Sequence, residues 1–127
     1  MAVTLTRDDM MAFAQRWIDA WNRRDVAAVL AHFADDARFV SPKAAAFVGT
    51  SVLEGKAALA AYWHTGLATL YRIEFVFDHA LWDPAARTLV VVYQATLNDT
   101  TTRSCEIMRF DADGQQIAGE ALYGAAL

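Results

Sequence analysis

Residues Ala14 to Pro42, AQRWIDAWNRRDVAAVLAHFADDARFVSP, decide how this chain is read. A helix running to about Arg23 stops, Asp25 caps a second short helix that reaches about Phe33, and an acidic turn at Asp35-Asp36 feeds a strand from Ala37 to Val40. Ser41-Pro42 ends that strand, because proline donates no hydrogen bond and keeps its predecessor extended. Two helices and a strand in this order build one wall of a pocket.

Working outward, Thr6 caps the first helix with Asp9 answering it three residues on, and Leu5 is placed to staple against Met10. Met10, Phe13, Ala14, Trp17, Ala20 and Trp21 then recur at three- and four-residue steps, an apolar face that includes two tryptophans. In the second helix Val26, Val29, Leu30 and Phe33 face inward, while Ala27, His32 and Asp35 face out. Residues 43–53, KAAAFVGTSVL, have no clean period and too many apolar side chains for a solvated loop, so they read as a flap over an apolar mouth. Glu54-Gly55-Lys56 starts a third helix to about Thr69, with Leu59, Trp63, Leu67 and Leu70 inward.

From Tyr71 the period changes to two. Tyr71–Asp83 alternates with Ile73, Phe75, Phe77, His79 and Leu81 on one face. Strands follow at Thr88–Leu97, Thr100–Phe110 and Gln115–Tyr123, the last two joined by an Asp111-Ala112-Asp113-Gly114 turn whose glycine suits positive φ. Three helices with a strand among them, then four long antiparallel strands, give an α+β fold: a cone-shaped barrel in which a curved antiparallel sheet wraps three N-terminal helices. A sheet curved round so few helices leaves a gap, and such gaps hold ligands.

Composition narrows the function. A chain of 127 residues is expected to form one domain. Its 56% hydrophobic content exceeds what a monomer of this size needs inside, which points to a lined cavity, a buried subunit contact, or both. A net charge of −4 with scattered basic residues argues against a nucleic-acid partner. A single cysteine, Cys105, fits a reducing compartment, no apolar run approaches the roughly 20 residues of a membrane span, and a cytoplasmic location without membrane contact is expected. No spacing among His32, His64, His79, Cys105 and the acids resembles a metal site, and no cofactor is expected.

The runs WIDAWNRRDVAAVLAHFADDARFVSP, Leu53-Glu54-Gly55-Lys56-Ala57-Ala58-Leu59 and Met108-Arg109-Phe110-Asp111-Ala112-Asp113-Gly114, with Ala121-Leu122-Tyr123-Gly124 after them, closely resemble the nuclear-transport-factor-2-like superfamily. Within it the chain is most similar to the SnoaL-like polyketide cyclases and the ketosteroid isomerases. In the isomerase pattern a carboxylate base stands just before the proline that ends the first strand; here it is Ser41. The helix-one tyrosine that donates to the enolate oxygen falls at Trp17, and two supporting tyrosines fall at Phe33 and Trp63. The second, protonated acid falls at Glu106. A serine without a neighbouring base cannot shuttle a proton near neutral pH, so the resemblance implies a relative of the isomerases and not a true one. The aspartate-arginine-aspartate trio of the superfamily's epoxide hydrolases has no counterpart among Glu74, Asp78, Glu106 and Glu120.

Glu106 is therefore the expected catalytic residue. It shares parity with Ser104, Met108 and Phe110, and the resemblance turns that face inward. Pairing through the 111–114 turn sets it opposite Gly119, where a missing side chain leaves room for a ligand. Buried there, the carboxyl would stay protonated and act as a proton donor; otherwise it is a buried acid satisfied by an indole or a water. Trp17, Phe33, Ser41 and Trp63, together with Met108 and Tyr123, complete the expected ligand-binding set, with His79 reaching the mouth by its parity with Phe75 and Phe77. Trp21 is an ordinary core residue or a further wall.

The opposite, convex face carries Arg103, Cys105, Ile107 and Arg109 beside Gln116, Ala118, Glu120 and Leu122, and suits a homodimer contact; otherwise it is a half-solvated sheet with Glu120 paired to Arg103 or Arg109. The expected function is that of a SnoaL-like pocket protein for a small apolar metabolite. Glu106 would assist an isomerisation, cyclisation or dehydration, or the protein would be a ligand carrier or sensor without turnover.

Overall fold

The structure, a computed structural model, describes residues 3–127. Helix α1 spans Arg7–Asn22, α2 Val26–Leu30, α3 Ala45–Val48 and α4 Lys56–Ala68; strands are β1 Phe33–Val40, β2 Val52–Glu54, β3 Ile73–Asp83, β4 Thr88–Leu97, β5 Thr100–Phe110 and β6 Gln116–Ala126. They form a single six-stranded sheet in the order β2-β1-β6-β5-β4-β3. The four long strands pair antiparallel with one another, and β1 joins β6 in parallel, so the sheet is mixed and open. Among the described residues no helix is long and apolar enough to cross a membrane.

Local chemistry explains the helix positions. Thr6 and Asp9 form a reciprocal capping box at the start of α1, which satisfies two otherwise unpaired backbone amides. The chain then reverses at Arg24, which takes φ 57°, and its guanidinium donates to the carbonyls of Leu67 and Leu70 at the far end of α4. Asn22 clamps the Phe75 backbone, donating to its carbonyl and accepting from its amide. Through these two contacts the stop between α1 and α2 ties both to α4 and to β3.

Three local expectations change. Asp35 and Asp36 lie inside β1, which starts at Phe33; the register shift between Phe33 and Arg38 absorbs both acids as exposed residues. Residues 43–53 are not an unstructured flap: a 3-10 turn at Pro42–Ala44 leads into α3 and then β2, which pairs with β1. His32 does not face solvent. Its ring packs edge-on against Phe13 at 4.5 Å, and Nε2 shares a 2.8 Å hydrogen bond with Gln116 Oε1. Burial pulls its pKa down to about 4, with the Gln116 bond opposing.

The core fills only part of the sheet's hollow. Met10, Ala14, Val29, Leu89, Met108 and Phe110 close one end completely. The other end stays open.

Candidate functional site

The open end is a cavity of about 460 Å³, the size of a small-molecule pocket. Trp17 and Trp21 of α1, Tyr62 and Trp63 of α4, Phe39 of β1 and Phe75 of β3 give it aromatic walls. They brace one another: Trp21 meets Trp63 edge-on at 5.2 Å, Trp63 meets Phe39 at 5.4 Å, and Trp17 meets Tyr93 at 5.3 Å. Such edge-to-face pairs hold a rigid wall and resist collapse into the gap.

Glu106 reaches into this cavity from the middle of β5 and is only 4% exposed. Burial alone raises its pKa well above the ordinary carboxyl value, with no hydrogen bond offsetting it. A carboxyl in that state is biased toward its protonated form, from which it can donate. Its cross-strand neighbours are Val91 and Ala121, both small enough to leave the carboxyl uncovered. One pleat away, Ser104 lies between Tyr93 and Tyr123. Burial raises the pKa of both phenols, and a charge on Glu106 would raise them further. Across the cavity Tyr62 Oη and Ser41 Oγ share a 3.0 Å hydrogen bond. Burial raises Tyr62 as well, with the Ser41 bond opposing. The cavity thus sets one buried carboxyl, biased toward its protonated form, and a set of hydroxyls against apolar walls.

Of the expected site residues, the structure brings Trp17, Ser41, Trp63, Glu106 and Tyr123 to the cavity, and Trp21 with them. Four others lie elsewhere. Phe33 is 2% exposed behind the wall, stacked between His32 and Trp63. Met108 is wholly buried in the closed end. Gly119 stands opposite Met108, not Glu106, because a register shift between Arg109 and Phe110 moves β6 along β5. The space beside it is taken: a Cβ there would sit 2.7 Å from the Phe39 ring and 2.9 Å from Gln116 Nε2. His79 is on the outside, its Nδ1 2.9 Å from Asp78. A bulge between Phe77 and His79 reverses the alternation of β3, so Ala80 is buried and Leu81 exposed.

On the convex face, Gln116 turns inward at 1% exposure to meet His32. Arg103 pairs with Asp78 at 2.6 Å instead of Glu120, and Glu120 lies across from Ile107. Asp78 is held below the usual carboxylate range by its bonds to His79 and Arg103.

The sequence reading missed Tyr62, Phe39, Tyr93 and Lys43 as lining residues. Two of them had a signal. Tyr62 sits three residues after Leu59 on the inner stripe of α4, and Tyr93 shares parity with Leu89, Val91 and Ala95, all buried. Among the described residues no cluster of His, Cys, Asp or Glu could hold a metal ion. A second hollow of about 460 Å³ between α1 and α2 carries Arg16, Asp19 and Arg23 and no buried acid.

The fold has many solved counterparts. A SnoaL-like protein of unknown function from Burkholderia thailandensis is 26% identical with a TM-score of 0.85, covering 97% of this chain and 100% of its own. An NTF2-like protein of unknown function from Burkholderia xenovorans is 16% identical with a TM-score of 0.74, over 95% of this chain and 88% of that one. A ketosteroid isomerase-like protein from Kribbella flavida is 18% identical with a TM-score of 0.72, over 94% and 81%. At such identities the last two show a shared fold and nothing of the chemistry. The family model of the SnoaL-like domain matches residues 14–119, from the first cavity-facing helix into the last strand, and the chain belongs to the SnoaL-like family.

Proposed function

We propose that this SnoaL-like protein binds a small, largely apolar metabolite in the aromatic cavity and presents Glu106 to it as a neutral acid. The observation that carries this reading is the uncompensated burial of the Glu106 carboxyl. A ligand oxygen placed against it would accept a short hydrogen bond, and charge building on that oxygen would be stabilised in a site that excludes water. That suits an acid-assisted isomerisation, cyclisation or dehydration whose remaining proton transfers use groups on the substrate. It does not suit ketosteroid isomerisation, because the position of the base is Ser41, whose hydroxyl is engaged with Tyr62.

Serine at position 41, where the isomerase pattern carries its carboxylate, supports a second reading, a carrier or sensor that captures its ligand without turnover. Incubating wild type and Glu106→Gln with a panel of ring ketones and phenols separates the two, with native mass spectrometry reporting binding and chromatography reporting conversion. Conversion by wild type that disappears in Glu106→Gln while binding persists supports the enzyme. Binding without conversion by either protein supports the carrier. Failure of every compound to bind would sink both. We further propose a homodimer through the convex face, and a cytoplasmic location in keeping with the single thiol of Cys105.

A further inference from the structure

Among the described residues one acidic and one basic side chain line the cavity, Glu106, which is buried, and Lys43, which is exposed. Lys43 is fixed by its backbone. It follows the buried Ser41, whose amide donates to the Ser51 carbonyl at 2.9 Å and whose carbonyl accepts from Ala44 at 3.1 Å, and Ala44 itself is wholly buried. The ammonium rests over the Tyr123 ring, 4.5 Å from its centroid, and makes no salt bridge among the described residues. An aromatic face holds a cation in place without neutralising it. Tyr123 thus connects the two, carrying Lys43 on its ring while its phenol feels Glu106. On the facing lip Phe47, 40% exposed, stacks against Tyr62.

A buried carboxyl biased toward its protonated form and an exposed, uncompensated cation, in a cavity walled by apolar rings, define a complementary ligand. We propose that the cavity takes an amphipathic organic anion: an apolar ring body whose far end carries an oxygen acceptor for Glu106 and whose near end carries a carboxylate or similar anion for Lys43. The inference rests on the cavity being the ligand site, as proposed above, and adds the chemical class. In a protein of net charge −4 an exposed cation lining the cavity is a local feature and not part of a general basic surface.

Two probes with the same ring test it: 2-naphthol, which is neutral, and 6-hydroxy-2-naphthoate, which adds a carboxylate opposite the hydroxyl. Fluorescence titration of the wild type is expected to give binding of the naphthoate about fivefold tighter, the size of a half-exposed ion pair. The preference shrinks in about 0.5 M salt, where screening acts over a few ångströms. Lys43→Gln abolishes the difference between the two probes; Lys43→Arg keeps it. If 2-naphthol binds but the naphthoate gains nothing, or keeps its gain in Lys43→Gln, the anion subsite is overturned and the pocket reading stands. If neither probe binds, both fall.

Discussion

Burial acts on Glu106 and His32 in opposite directions along the pH axis. The folded protein keeps Glu106 protonated beyond the ordinary value of 4.5, so above that pH the unfolded chain releases a proton that the folded chain retains. Stability from this residue is complete below about pH 4.5 and is lost as pH rises through the folded pKa. His32 is the reverse. Its folded pKa is about 4 against 6.5 unfolded, so stability is complete above pH 6.5 and falls as pH drops toward 4, by about 3 kcal/mol. Urea midpoints measured from about pH 4 to 8 should therefore pass through a maximum. Glu106→Gln is expected to flatten its alkaline side, and His32→Gln its acid side. A Glu106→Gln curve parallel to wild type at every pH would mean that the carboxyl titrates in the folded protein as it does in the unfolded chain. Glu106 was legible in the sequence because parity and the family pattern both turned it inward. His32 was not, since its burial depends on Gln116, a residue more than eighty positions away that the pairing through the turn had placed on the other face.

At the scale of elements, strand irregularities decided which inferences held. Helix spacing was readable: the capping box, the apolar face of α1 and the inward Leu59 and Trp63 of α4 are where the sequence put them, while Leu70 falls beyond the end of α4. Alternation in the strands was readable only up to a bulge. In β3 the bulge after Phe77 moved His79 outside, and in β6 the shift near Phe110 moved Gly119 from Glu106 to Met108. A bulge inserts one residue and reverses everything beyond it, and nothing in a single sequence marks its place. Gly119 shows what its absence of side chain is for. It admits the Phe39 ring, which Trp63 then meets edge-on to form the cavity wall. Gly119→Ala would press a methyl to 2.7 Å from that buried ring and is expected to destabilise by about 1–3 kcal/mol. Denaturant unfolding measures the loss, and naphthol titration should show weaker binding because the wall is displaced. Wild-type stability in Gly119→Ala would mean that Phe39 yields freely and the wall is soft.

For the whole molecule, part of the apolar surface that neither core nor cavity takes up lies on the convex face. Leu122 is 41% exposed beside Cys105, with Ile107 and Ala118 half-buried nearby and Arg109 and Glu120 among them. Val76 and Leu81 extend the exposed apolar surface to β3 at 51% and 60%. Apolar residues interspersed with charges of both signs on a broad sheet suit a self-complementary contact, in which each charge meets its opposite on the second copy. Light scattering coupled to size exclusion should give twice the 14.0 kDa chain mass. Leu122→Glu puts two carboxylates into such a contact, one per protomer, and is expected to yield the monomer. Leu122 lies between Ala121 and Tyr123 in β6 and points away from the cavity they line. Naphthol binding should therefore survive in the monomer, which separates loss of assembly from loss of fold. A wild type that runs as a monomer at all concentrations would overturn the dimer. A Leu122→Glu protein that stays dimeric would move the contact toward Val76 and Leu81.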